Sequence, residues 1–318
     1  MKRHRRFLVF VPLLLLLTLG ASLYRADIPL EELKPRYTDA HSQFVEFDGQ
    51  LVHFRDQGTG PPLLLLHGTA SSLQTWDGWV EVLQDRFRLI RLDLPAFGLS
   101  GPPSQEAHGI EHPLDILDDL LDHLEIPKVA IAGNSLGGFI AWRYTAHRPQ
   151  RVTQLILIDA AGYPFDRDPK KGQGSVFDLG RVPVLGPLLT RFTPRFLVEK
   201  GLQQVYADDS KITAELIDRH YELLLREGNR EALLQGLQDR RNPQHELIPS
   251  IRQPTLLLWG EEDHWIPPSI GERFHQDLPD SELVVYESVG HAPMEETPRR
   301  TAEDAAEFLQ RRAAVPAF

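Results

Sequence analysis

Two rhythms of apolar residues divide the chain. Leu63 to Leu66, Leu89 to Leu92, Val129 to Ala132, Leu155 to Ile158, Thr255 to Trp259 and Leu283 to Tyr286 are short, nearly unbroken apolar runs. Such runs fit parallel strands covered on both faces, because a strand with one face in water alternates. Phe44 to Phe47 and Leu51 to Phe54 precede them. Asp48-Gly49-Gln50 between these two supplies the positive φ values of a tight turn, so they read as an opening hairpin. Elsewhere the spacing lengthens: Leu114, Ile116, Leu117, Leu120, Leu121 and Leu124 recur at helical intervals and mark one buried face. Strand and helix in alternation predict an α/β fold, a mostly parallel sheet flanked by helices.

The alternation stops from about Tyr163 to Pro249, where Gly/Pro punctuation and helical patterns such as Ile212 to Arg226 replace strand-like runs. This predicts a helical insertion at 163–249, after the sixth strand, between core segments 43–162 and 250–312. Charge sets the insertion apart: it holds 13 Lys/Arg and 13 Asp/Glu, whereas the rest of the chain from Asp27 onward holds 16 against 32. Its apolar stretches, Val182-Pro183-Val184-Leu185 through Leu188-Leu189 and Phe192 to Val198, either pack the insertion's own core or face lipid.

The N-terminus follows neither rhythm. Lys2, Arg3, Arg5 and Arg6 precede an uncharged run from Phe7 to Tyr24, long enough as a helix, at roughly 27 Å, to cross the hydrocarbon core of a bilayer. We read residues 1–26 as a membrane anchor. A cleaved signal peptide is the alternative, with Gly20-Ala21-Ser22 as its small residues, although the run exceeds the usual length of such an apolar region. The cations ahead of the run place the N-terminus in the cytoplasm and the body outside it, in the periplasm of a Gram-negative cell. A polar connector, about Ala26 to Ser42, follows.

Composition narrows the chemistry. With 45 acidic against 34 basic residues the chain has a net charge of −11, and no basic block interleaved with aromatics follows the first six residues, so nucleic acid is not an expected partner. There is no cysteine, which excludes thiolate catalysis and cysteine metal sites.

Gly133-Asn134-Ser135-Leu136-Gly137 sits between the run Val129 to Ala132 and a helical pattern, the context of a strained strand-to-helix turn that exposes a nucleophilic serine. A serine hydroxyl is a weak nucleophile, so it needs a base, and the base needs an orienting partner. His291, in Gly290-His291-Ala292-Pro293, and Asp263, after Leu258-Trp259-Gly260, both follow apolar runs, which puts them with Ser135 at the carboxyl edge of the sheet. Their order Ser, Asp, His fits this use. Asp159, also at a strand end, competes for the carboxylate role, and Asp263 is preferred for its place after the penultimate strand. Glu261 and Glu262 read as solvated turn residues, and His264 adjoins Asp263 too closely to receive its hydrogen bond. The backbone amides of Thr69, in His67-Gly68-Thr69, and of Leu136 are the expected oxyanion donors.

Together His67-Gly68, Asp93-Leu94-Pro95-Ala96-Phe97-Gly98-Leu99-Ser100, Gly133 to Gly138, Trp259-Gly260-Glu261-Glu262-Asp263 and Gly290-His291-Ala292-Pro293 resemble the α/β-hydrolase superfamily from about Gln43 to Leu309. The family often has Gly where Ala96 stands. Ser135 argues against relatives with an aspartate nucleophile. The resemblance implies a Ser135-His291-Asp263 triad needing no cofactor or metal, and makes the insertion a cap, or lid, over the site. Anchor and apolar cap together look like membrane-anchored bacterial phospholipases A and monoacylglycerol-lipase-like enzymes, which implies a lipid or small-molecule ester substrate. Carbon–carbon or amide hydrolysis with the same triad, and a non-catalytic ligand-binding role on this scaffold, are the alternatives.

Overall fold

The computed structural model describes residues 24–103, 111–164, 175–182, 185–238 and 244–313. A short helix, α1 (Leu30–Tyr37), leads into β1 (Ser42–Phe47), β2 (Gln50–Gln57), β3 (Pro62–Leu66), α2 (Asp77–Leu83), β4 (Arg88–Leu92), α3 (His112–His123), β5 (Val129–Asn134), α4 (Leu136–His147) and β6 (Val152–Ile158). Among the described residues four α-helices follow without an intervening strand: α5 (Leu185–Leu189), α6 (Arg195–Val205), α7 (Ala214–Leu224) and α8 (Asn229–Gln238). The chain then returns to the sheet with β7 (Thr255–Gly260), α9 (Pro268–Asp277), β8 (Ser281–Tyr286), α10 (Pro293–Glu296) and α11 (Pro298–Ala313).

The eight strands form one sheet in the order β1-β2-β4-β3-β5-β6-β7-β8. Only the pairings β1·β2 and β2·β4 are antiparallel. Their hairpin closes on Asp48 and Gly49 alone, with φ of 46° and 75°, as the turn residues require. The unbroken apolar runs have a simple cause. Leu64 and Leu66 of β3, Ile131 of β5 and Leu155 and Leu157 of β6 pack into the core beneath α3, α4 and α9, while Leu63, Leu65, Ala130, Ala132, Ile156 and Ile158 pack into a second core against α2 and α11. With both faces buried, neither set of alternate positions can be polar.

The four helices between β6 and β7 form the cap. Its apolar stretch is not used uniformly: Leu189, Leu197 and Val198 line a cavity beneath the cap, while Leu185, Leu188 and Phe196 are exposed. Residues 26–42, read as a polar connector, differ from that expectation. They include α1, whose Leu33 is buried with Leu99 and Leu223, and the stretch before it is stitched to the cap by Arg25 N to Arg191 O, Ile28 N to Leu225 O and Glu227 N to Ile28 O. One buried leucine in a helix rich in Glu, Lys and Arg is too sparse a pattern to read as an element. The apolar run Phe7 to Tyr24 lies, apart from Tyr24, outside the described residues. Among the described residues no helix is long and apolar enough to cross a membrane.

Candidate active site

Ser135 occupies the turn between β5 and α4 with φ 52° and ψ −111°, a left-handed conformation costly for a side chain and held by Ser135 N to Ile158 O and Phe139 N to Ser135 O. The flanking glycines make this turn possible. A Cβ on Gly133 would lie 2.3 Å from Gly137 O, and one on Gly137 would lie 2.1 Å from Leu66 O. Gly68 serves the same close approach from β3, since its Cβ would fall 3.2 Å from that of Ser135. The turn carrying Thr69 is thereby pressed against the serine. Leu136 N and Thr69 N enter no other hydrogen bond among the described residues, which leaves both amides free for an incoming oxygen.

Across the sheet edge, His291 Nδ1 lies 2.6 Å from Asp263 Oδ2, both side chains being buried. Asp263 Oδ1 accepts from the amides of Trp265 (2.7 Å) and Ile266 (2.9 Å), so the carboxylate is fixed at both oxygens. This pairing puts the Nδ1 proton toward Asp263 and leaves Nε2 as the basic atom. Nε2 has no hydrogen-bond partner among the described residues; His291 and Ser135 line the same cavity but are not bonded to each other.

Asp159 is fully buried at the end of β6, and its Oδ1 accepts from Gly260 N at 3.0 Å. Burial, and then the negative charge of Asp263, push its carboxyl well above the usual carboxylate range. Of the two carboxyl groups, Asp263 alone bonds His291. Polar atoms of Asp159, Asp263 and His291 lie within 4.8 Å of one another, the spacing of a metal-binding group. Here His291 Nδ1 is taken by Asp263 Oδ2, Asp263 Oδ1 by the amides of Trp265 and Ile266, and Asp159 Oδ1 by the amide of Gly260.

Several residues that hold this geometry went unread in the sequence. His67 is a strut: its Nδ1 donates to Gly68 O (2.7 Å) and its Nε2 accepts from Leu94 N (2.9 Å), while burial keeps the ring's pKa low and the ring neutral. Asn134, which precedes Ser135 in the turn, donates to Ile158 O and to His291 O at 3.0 Å, tying the serine turn to the histidine loop. Glu296 accepts from Gly290 N at 2.7 Å and from Ala207 N in the cap, and His291 N donates to Val205 O at the end of α6. Cap and histidine loop are thus one hydrogen-bonded unit. No spacing rule exposes such contacts, because each joins side chain to backbone across distant segments. Glycine at Ala96 in relatives does have a signal here: Ala96 has φ 78°, where glycine is favoured.

The profile of the α/β-hydrolase fold matches residues 61–298 of this chain. The chain belongs to the α/β-hydrolase family. This member of the family is a hydrolase whose substrate class the fold does not decide. It is 28% identical over 250 residues to 2-hydroxy-6-oxo-2,4-heptadienoate hydrolase of Pseudomonas putida, covering 76% of this chain and 86% of that protein. Among solved structures it is similar to a membrane phospholipase A described as a bacterial virulence factor, at 27% identity and TM-score 0.75, covering 98% of this chain and all of the other. It is likewise similar to a thermophilic esterase of Thermogutta terrifontis, at 27% identity and TM-score 0.71, covering 86% and 99% of the two chains.

Proposed function

We propose that this α/β hydrolase cleaves carboxylic esters of acyl lipids at a membrane surface, through an acyl-enzyme on Ser135. His291 Nε2 takes the Ser135 proton as the oxygen adds to the ester carbonyl. The amides of Thr69 and Leu136 hold the oxyanion, and collapse expels the alcohol, which leaves with the proton from His291. Water, deprotonated by the same nitrogen, then releases the acid. Asp263 holds the tautomer that makes this possible. The observation carrying the reading is the Asp263–His291 pair, which opens with Ser135 into one apolar cavity of about 180 Å³ under the cap.

The lining favours a neutral acyl substrate over an anionic one. Leu189, Leu197, Val198, Leu202, Leu233 and Leu234 dominate it, and its one guanidinium among the described residues, Arg230, is already paired with Asp27 at 2.5 Å. A dienoate substrate of a carbon–carbon hydrolase would need a free cation. The surface supports the lipid side of the reading: every large hydrophobic side chain exposed among the described residues, except Val285, lies on Tyr24 or on the cap. Tyr24, which ends the apolar run, packs edge-on against Phe192. Phe192 lies in the chain between the exposed Leu185 and Leu188 and the exposed Phe196, so the end of the run meets the segment that carries them.

The test compares a short p-nitrophenyl ester in solution with phospholipid vesicles. A chain beginning at Tyr24 keeps its rate on the short ester and loses most of its rate on vesicles, because an anchor supplies only effective concentration. Phe196→Glu in the full chain acts the same way, since a carboxylate resists entering the interface. An equal loss on both substrates would overturn the lipid-surface reading, and no hydrolysis of any ester would overturn the ester reading itself.

A further inference from the structure

Beneath the cap a second imidazole faces the cavity that Ser135 and His291 share. His220, on α7, places Nδ1 3.1 Å from the carbonyl oxygen of Ala70, the residue after Thr69 in the oxyanion turn. Burial, and then the neighbouring Arg219, bring its pKa down to about 4, against the opposing pull of Glu295, so the ring is neutral at ordinary pH. A neutral ring carries one proton, and the carbonyl of Ala70 can only accept, so that proton sits on Nδ1. Nε2 is left as a lone-pair acceptor. It has no hydrogen-bond partner among the described residues and is shielded from bulk solvent. A buried acceptor left unmatched is unfavourable, and this one lies on a ring that lines the cavity, where a donor on the substrate can match it.

The position says which part of the substrate brings that donor. The cavity's leucines and valines suit the acyl chain, whereas Thr75, Tyr206 and His220 among its polar lining group around Glu295, in the segment that follows His291. Glu295, four residues past His291, accepts from Thr75 and, at 3.1 Å, from Arg219, so its charge is committed. His291 must reach the leaving oxygen to protonate it, which puts the alcohol portion at this polar end. A hydroxyl donates to a neutral imidazole nitrogen; an ether or alkyl group in its place cannot.

We infer that His220 is a specificity-determining residue whose Nε2 accepts a hydrogen bond from a free hydroxyl on the alcohol portion of the substrate, which makes hydroxyalkyl esters, such as partly acylated polyols, the preferred class. The inference rests on the ester-hydrolase reading and sharpens it. It needs no motion of the triad and no cofactor.

The measurement is kcat/KM of the full-length protein on 2-hydroxyethyl octanoate and 2-methoxyethyl octanoate, which differ in the donor and not in the acyl chain. Wild type should prefer the hydroxyl ester by roughly 3- to 10-fold, the range of one neutral hydrogen bond. His220→Phe should bring that ratio close to one. His220→Gln, whose amide can still donate to Ala70 O and present an oxygen, should retain part of the preference. Any common loss on both esters reports the brace to Ala70, and the ratio removes it. A wild-type ratio near one, or a ratio that His220→Phe leaves intact, would overturn the proposal. If wild type cleaved neither ester, the ester reading would fall and this inference with it, a result distinct from an altered ratio.

Discussion

Among the described residues two buried Asp–His pairs have nearly the same length, and their surroundings separate a candidate reaction centre from a structural pin. His291 Nδ1 to Asp263 Oδ2 is 2.6 Å, and His53 Nδ1 to Asp93 Oδ2 is 2.7 Å. Ser100 even stands beside the second pair, which gives it all three residue types of a triad. Its hydroxyl, however, accepts from the backbone amide of His53 and donates to the carbonyl of Asp93, so it never meets the ring. His53, Asp93 and Ser100 are sealed within the core and line no described cavity, whereas His291 and Ser135 open on the same one. Asp93 binds the amides of Leu73 and Leu99 besides its histidine, and so pins two loops. The difference teaches that an Asp–His bond becomes a base only where its far nitrogen faces a nucleophile and a space for substrate.

The comparison breaks most sharply on activity. Asp263→Asn should lower kcat by on the order of 10⁴ on a short ester, because asparagine favours the wrong histidine tautomer, while the melting temperature stays close to that of wild type. Asn keeps an oxygen for the amides of Trp265 and Ile266. Steady-state rates beside thermal melts check both halves. Asp93→Asn should reverse the pattern, destabilising by about 2–4 kcal/mol in denaturant titration while the folded fraction retains its kcat. Burial alone would raise the pKa of Asp93, but the bond to His53 and the nearby amides outweigh it and hold the group below its usual value. That stabilisation is complete above the unfolded carboxylate pKa of about 4 and is lost as pH falls through the lower folded value. The acid limb of stability against pH should therefore shrink in Asp93→Asn.

Much of this was legible in the sequence, for identifiable reasons. Runs such as Leu63 to Leu66 announced strands buried on both faces, and Gly133-Asn134-Ser135-Leu136-Gly137 announced a turn that only glycines can flank. Asp263 could be preferred to Asp159 by order alone, and the bond to His291 falls where that order put it. What could not be read was every contact whose partner is a backbone atom far along the chain: His67 on Leu94, Asn134 on His291, Glu296 on Ala207. Periodicity carries burial and local spacing but no information about which distant carbonyl or amide a polar side chain meets.

Smaller effects sharpen the same contrast. Asp159→Asn should alter kcat by less than about 10-fold, because burial and Asp263 already disfavour the charged form of this carboxyl and asparagine keeps the acceptor for Gly260 N. A loss comparable to that of Asp263→Asn would transfer the orienting role to Asp159. Ala96→Gly relieves a residue held at φ 78° and should raise stability by about 0.5–1 kcal/mol without changing kcat, as a melt and a rate assay would show.

The central claim is that Ser135 is the one hydroxyl activated by the Asp263–His291 pair. Labelling the folded protein with a fluorophosphonate and locating the adduct by peptide mass spectrometry addresses it directly. One adduct per chain on Ser135, absent in Ser135→Ala and strongly slowed in Asp263→Asn while Asp93→Asn labels at the wild-type rate per folded molecule, is the predicted result. No labelling of the folded wild type, or an adduct elsewhere that survives Ser135→Ala, would contradict it.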